Sequence, residues 1–153
     1  MYHQYLELPK DLPKELLKTQ KAVFVTLKKH GHLRGCIGTL KPTKKCVAEE
    51  IVHNAVSAGL HDPRFPEMKI QELVELIYSV DILSSPEDID DVALLNPKEY
   101  GVIVQTSRKS GLLLPNLEGI DTVKEQLKIA KQKANIREDE EISIKRFKVV
   151  RHH

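Results

Sequence analysis

Leu33-Arg34-Gly35-Cys36-Ile37-Gly38 places a thiol, a guanidinium and two glycines within six residues. The thiolate is the nucleophilic form of cysteine, and a nearby cation favours it over the thiol. The chemistry on offer is nucleophilic attack by sulfur or covalent attachment of a substrate. The segment reads as a strand, whose successive side chains alternate between faces. Arg34, Cys36 and Gly38 are then expected on one face, with Leu33, Gly35 and Ile37 on the other. Glycine inside a strand marks a bulge or a close approach by backbone or ligand. Gly35 and Gly38 are accordingly expected to leave open space around the sulfur. A structural alternative accounts for the same residues. Cysteine often packs as a small hydrophobe, and the segment is then a tight strand crossing with Arg34 reaching water.

A nucleophile needs a base within hydrogen-bond reach, and the imidazoles on offer are His61 and His32. Residues 60–66 form a loop fixed by Pro63 and Pro66 that carries His61, Asp62 and Arg64. Asp62 is suited to accept from backbone amides or to pair with an arginine. A purely structural loop, with Asp62 as a turn residue and Phe65 in the core, accounts for these residues too. His30 and His32 flank Gly31, but no third metal ligand stands at a familiar spacing. Cys46 is a second candidate thiol, because it falls in the first turn of a helix, where thiol pKa values are depressed. Its alternative is packing.

The elements that must position these residues follow from local pattern. Residues 1–20 hold Leu6, Leu8, Leu12, Leu16 and Leu17 among prolines and lysines. Pro9 and Pro13 discourage a helix before Lys14, so an irregular entry is expected, ending in a short amphipathic turn that packs Leu16 and Leu17. Residues 22–28 are β-branched and aromatic, a strand. Lys29-His30-Gly31-His32 turns, with Gly31 at positive φ, and residues 33–40 return as the second arm of a hairpin. Thr43 is expected to cap a helix whose early acids, Glu49 and Glu50, suit the dipole. Val47, Ala48, Ile51, Val52, Ala55 and Val56 form its apolar face, and Gly59 is expected to close it. A short helix over residues 69–75 carries Ile70 and Leu73. Residues 77–83 alternate as a strand with Tyr78, Val80 and Ile82 on one face. Residues 84–91 read as an acidic linker broken by Pro86, with Asn96-Pro97 closing the stretch.

The last third repeats the first. Gly101-Val102-Ile103-Val104 matches Ala22-Val23-Phe24-Val25, Gly111 stands for Gly31, and Leu112-Leu113-Leu114-Pro115 stands where residues 33–37 stood. A helix from Thr122 to about Ala134 follows, with Asn135 as its terminating residue. A strand over residues 142–150 answers residues 77–83. This predicts one α+β domain over residues 1–153, built from a first repeat at about 20–84 and a second at about 98–151. The second hairpin arm has no Cys, Arg or Gly pair, so any chemistry belongs to the first.

Composition sets bounds on class. The 153 residues, 41% hydrophobic and 30% charged, suit one globular domain. No apolar run approaches the roughly 18 residues of a membrane span. Met1-Tyr2-His3-Gln4-Tyr5 lacks a secretory pattern, and two cysteines cannot form a disulfide framework, so a reducing cytoplasm is expected. Residues 1–45 carry ten Lys/Arg against three acids, residues 46–100 three against twelve, and residues 101–153 eleven against seven. Such asymmetry steers partners. The mid-chain acids and the absence of Trp argue against a nucleic-acid surface. There is no glycine-rich phosphate loop, paired-cysteine metal site or cysteine triad for an iron–sulfur cluster, so no cofactor is expected.

Three segments in order, Leu-Arg-Gly-Cys-Ile-Gly, Asp62-Pro63-Arg64-Phe65 and Gly111-Leu112-Leu113-Leu114-Pro115, give the chain a close likeness to one family. From about Val23 to the final strand it resembles the AMMECR domain family. Asn116 stands where that family usually has Gln, and Asn135 where it has Gly. The N-terminal helix and the stretch after Leu-Leu-Pro are shorter than usual. The resemblance implies an α+β fold of two β-β-β-α-α-like repeats in layers. It also implies a cytoplasmic accessory component working with a Memo-type protein and a radical S-adenosylmethionine enzyme, with any radical step belonging to that partner. Two functional readings follow. In one, Cys36 and Arg34 form a thiol site supported by His61 and Asp62, with Gly35, Gly38 and Arg64 as binding residues. In the other, the same residues shape a ligand- or protein-binding face without thiol chemistry.

Overall fold

The computed structural model describes residues 7–153. Leu6 and the five residues before it, which entered the reading of the N-terminus, lie outside the described residues. Among the described residues no helix is long and apolar enough to cross a membrane.

Among the described residues, the first unit comprises the chain up to Leu83 together with Val150–His153. Strands β1 (Val23–Lys29) and β2 (His32–Gly38) form an antiparallel hairpin closed by two residues, His30 at φ 50° and Gly31 at φ 79°. Two positive φ values match the right-handed twist of the arms. Gly31 is as expected, and histidine is one of the few other residues that tolerate this region. Strand β3 (Leu76–Leu83) pairs on the other side of β1, and β8 (Val149–His152) completes the order β2-β1-β3-β8. Val23, Val25 and Leu27 face a core that includes Val47 and Ala58 of helix α2 (Val47–Leu60). Helix α1 (Lys14–Lys18) adds Leu16 to this core, but Leu17 is exposed, because a five-residue helix has room for only one inward leucine.

The second unit, Ser84–Val149, repeats the plan. Strands β5 (Gly101–Gln105) and β6 (Ser110–Leu113) form a hairpin, helix α3 (Val123–Lys133) follows, and β7 (Ser143–Phe147) pairs with β5. Its fourth strand is β4 (Glu87–Ile89), in the order β4-β7-β5-β6. The acidic stretch expected as a linker is thus partly a strand. Its acids face cations across the ladder, Glu87 opposite Arg146 and Asp88 opposite Lys145, a favourable cross-strand arrangement. The single strand expected over residues 142–150 divides at Lys148 into β7 and β8, which belong to different sheets. Ser84 and Lys148 hold these two crossing points together: the Ser84 N–H donates to the Lys148 carbonyl at 2.8 Å, and the Lys148 N–H to Ser84 Oγ at 2.8 Å.

The repeats correspond through contacts, in a different register from the sequence match. Gly35 lies opposite Leu27, and a Cβ there would fall on the Ala58 carbonyl oxygen. Gly111 lies opposite Val104, and a Cβ there would stand 2.7 Å from the Ala130 carbonyl oxygen. Four residues before each alanine, an amide reaches the start of the first strand: Asn54 Nδ2 donates to Val23 O, and Gln126 Nε2 to Tyr100 O, both at 2.8 Å. Gly111 therefore corresponds to Gly35 rather than Gly31, and Val102 to Val25 rather than Val23. The second hairpin has the longer turn, closed by Thr106 N–H donating to Lys109 O at 2.8 Å, so the two glycines that flank the turns in sequence are not equivalent in the fold.

Helix ends divide the same way. Thr122 caps α3 by accepting from the Glu125 N–H at 3.2 Å. Asn135 has φ 56°, with Asn135 N–H to Gln132 O and Ile136 N–H to Lys131 O closing the end, the pairing expected of a left-handed terminator. In α2 the cap residue is Cys46, not Thr43, and the helix runs to Leu60 with His61 at its end. Gly59 sits inside the last turn, so it does not close the helix. The buried residues of α2 include Glu50 and Asn54, so its inner face is not purely apolar.

Gly35→Ala is expected to lower stability by about 3 kcal/mol, because a rigid backbone oxygen occupies the space. Gly59→Ala, whose Cβ would meet Met68 and Leu27 at ordinary distances of 3.7 and 3.8 Å, should stay within about 1 kcal/mol of the parent. Thermal unfolding of the pair decides; equal effects would mean that the helix contact does not limit this site.

Candidate functional site

The centre of the site is a break in strand regularity. Lys28 pairs with Leu33 and Leu27 with Gly35, which leaves Arg34 as an extra residue in β2. Such a bulge resets the alternation of faces. Gly35 shares the helix-covered face with Leu27, whereas Cys36 lies opposite Thr26 and Gly38 opposite Phe24 on the other. The common face expected for Arg34 and Cys36 is therefore not formed, although Cys36 and Gly38 do share one. Arg34 joins Lys29 on Glu72, in the 3-10 helix Ile70–Glu75. Its Nε and Nη2 each stand 3.0 Å from a Glu72 carboxylate oxygen, and Nη1 donates to Pro66 O at 3.1 Å. The glycines do not open space either. The α2 backbone fills the position beside Gly35, and the Phe24 ring fills that beside Gly38.

Asp62 and Arg64 instead grip the backbone of Cys36. Strand β2 is a sheet edge, where outward amides and carbonyls lack a strand partner. The Cys36 N–H donates to Asp62 Oδ2 at 2.9 Å, and Arg64 Nη2 donates to Cys36 O at 3.2 Å. Asp62 Oδ1 accepts from the Arg64 N–H and Nε, both at 3.0 Å, and Oδ2 from Arg64 Nη2 at 2.8 Å. The acid–guanidinium pair thus supplies the acceptor and donor that a neighbouring strand would. Asp62 is buried at 4% exposure. Hydrogen bonds from the Arg64 side chain, followed by the Cys36 and Arg64 amides, overcome burial and hold its carboxyl far below the usual range. The Arg64 guanidinium is raised, chiefly by its side-chain hydrogen bonds to Asp62. It also lies 5.5 Å from the Phe65 ring centre.

The second unit shows which part of this is general. Lys133 Nζ donates to Leu112 O at 2.9 Å, so the edge carbonyl corresponding to Cys36 is capped there too. Leu112 lies opposite Ile103, where the first unit has Cys36 opposite Thr26. The first unit alone puts a polar pair at this position, with Cys36 Sγ 3.3 Å from Thr26 Oγ1.

The other candidates are placed apart from the sulfur. His61 ends α2 and is exposed, as is His32; neither hydrogen-bonds to Cys36. His30 Nε2 lies 3.3 Å from Glu75 Oε1. Cys46 is buried at 6% exposure. Among the described residues no three His, Cys, Asp or Glu side chains come together to hold a metal. Two acids were missed by sequence reasoning. Glu50, fully buried, accepts from the Thr43 N–H and Oγ1 and the Lys44 N–H, each at 2.8 Å, and from Thr39 Oγ1 at 3.2 Å. Burial pushes its carboxyl up, but these donors leave it below the usual value. Glu72 is the other, and no local pattern announces its partner 38 residues away.

Hydrogen bonds from Arg34, then from the Lys69 amide, pull the Glu72 carboxyl from 4.5 down to about 2. A lowered folded-state pKa means that its contribution is whole above about pH 4.5 and is lost as pH falls through about 2. Urea titrations between these limits should show a stability slope that Glu72→Gln flattens; an unchanged slope would place the acid sensitivity elsewhere. Asp62→Ala leaves a strand-edge amide unpaired and should cost about 2 kcal/mol, more than Arg64→Ala, whose side chain is 55% exposed.

With this geometry in view, three relationships are informative. A Thermotoga maritima protein is 50% identical over 153 residues, covering 99% of this chain and 88% of that one. A Clostridium acetobutylicum protein is 52% identical over 146 residues, 95% of this chain, but the match spans only 31% of that longer relative. The crystal structure of uncharacterized protein PH0010 from Pyrococcus horikoshii matches with a TM-score of 0.88 and 31% identity, covering 97% of this chain and 80% of that one. The AMMECR1 family model matches residues 2–152, and with these relatives it establishes that the chain belongs to the AMMECR1 family.

Proposed function

We propose that this domain is a cytoplasmic, non-catalytic accessory component: a binding module acting beside a Memo-type protein and a radical S-adenosylmethionine enzyme. The observation that carries the reading is the internal commitment of the motif's polar groups. Arg34 is held by Glu72 and Pro66, and the Cys36 amide and carbonyl by Asp62 and Arg64. The sulfur meets a threonine hydroxyl rather than a general base. Such a site holds a surface rigid, and binding energy realised on a preorganised surface is not lost to ordering it.

A second reading keeps Cys36 as a nucleophile or attachment point. It is favoured by the placement of a guanidinium at this residue, with Arg64 Nη2 donating to the Cys36 carbonyl at 3.2 Å. Co-purification with the Memo-type protein and the radical enzyme separates the two. Cys36→Ala is expected to leave complex formation and the activity of the assembled system unchanged, whereas Asp62→Ala should weaken assembly about tenfold by releasing the loop (about 1.4 kcal/mol). Loss of activity in an intact Cys36→Ala complex would decide for the thiol.

A further inference from the structure

We infer that the groove between α2 and the 3-10 helix Ile70–Glu75 is a binding site for an amphipathic anion: a slender apolar chain with a carboxylate or phosphate head. The groove has a volume of about 350 Å³, within the range of about 300–1,000 Å³ typical of small-molecule sites. Leu27 and Met68 line its floor, Gly59 and Ala55 its helical wall, and Ile70 and Leu73 its lip. Ile70 is 82% and Leu73 50% exposed. An open lip of large apolar side chains around a concave apolar floor leaves surface that a ligand chain would cover.

Charge selects the head group. Lys69 is the only charged residue lining the groove, and its ammonium makes no ion pair among the described residues. The acids of the same 3-10 helix are already engaged, Glu72 by Arg34 and Lys29 and Glu75 by Lys29. Lys69 is therefore the one cation of the lining, and an anion placed at it meets no carboxylate among the lining residues. The predominantly apolar lining suits a single extended hydrocarbon chain.

The site goes beyond the accessory role and does not rest on it, because none of its lining residues belongs to the Cys36–Asp62–Arg64 clamp. Titration with dodecanoate and dodecyl phosphate below their micellar concentrations, against dodecyltrimethylammonium, tests it by calorimetry. The expected result is saturable one-to-one binding of both anions, about tenfold tighter than the cation. Leu73→Asp, at an exposed position, should abolish binding without altering the melting temperature, and Lys69→Glu should reverse the head-group preference. Equal affinity for the cation, or anion binding indifferent to both changes, would overturn the proposal. So would a groove that takes none of the three probes but whose Leu73→Asp change abolishes co-purification with a partner protein, which would make it a protein-docking face.

Discussion

The Asp62 carboxylate is almost fully withdrawn from water, and an ionised acid in that position is tolerable only when its oxygens are supplied with donors. Three come from Arg64 and one from the Cys36 amide. The same four bonds do three structural jobs. They finish the edge of β2, fix the loop that follows α2, and aim the Arg64 guanidinium at the Cys36 carbonyl. Since the loop leads directly into Met68, whose N–H donates to Gly59 O at 2.9 Å, the position of the next connection depends on it too. Remove the carboxylate and each of these loses its reference point.

Arg34 has a parallel role one step along the strand. The bulge that carries it delivers a guanidinium to Glu72, and Glu72 in turn accepts from the Lys69 amide at 2.9 Å at the start of the 3-10 helix. The hexapeptide thus holds both ends of the connection between α2 and β3, through Cys36 at the near end and Arg34 at the far one. Its two glycines serve packing: one admits the helix backbone and the other the Phe24 ring. Sequence proximity of a thiol and a guanidinium suggested cooperation between them, yet the bulge sends them to separate partners.

How much was legible follows from how local each cause is. Hairpin arms, the start of α3 near Thr122 and the Asn135 terminator depend on neighbours within a few residues, and reading them needed nothing else. The bulge at Arg34 is a one-residue slip, invisible to an alternation count because Leu-Arg-Gly-Cys alternates acceptably in either register. Strand β4 was hidden by composition, since a run of acids reads as solvated until the cations of β7 are known to stand opposite. Glu50 looked like an ordinary first-turn acid favoured by the dipole. Its partners are loop donors at Thr39, Thr43 and Lys44, and loop conformation carries no periodic signal. Asp62 and Arg64 were identified, but not their target, because nothing in residues 60–66 says that a strand edge runs past them.

The two repeats show which features of the site are particular to the first unit. Shared features, the strand glycine against a helix carbonyl, the helix amide on the first strand and a cation on the edge carbonyl, are what this helix-on-hairpin unit requires. Lys133 meets the last requirement from within α3 itself. In the first unit the cation comes instead from beyond the helix, and there the connection runs from residue 61 to residue 75, against 134 to 142 in the second. That longer connection supplies Asp62, Arg64, Phe65, Glu72 and the lip of the groove. The mid-chain acid excess includes the two carboxylates that anchor it, so the charge asymmetry is in part the signature of this one segment. The anchoring residues that distinguish the first repeat therefore lie in its longer connection between α2 and β3, and Leu-Arg-Gly-Cys-Ile-Gly is the strand that receives them.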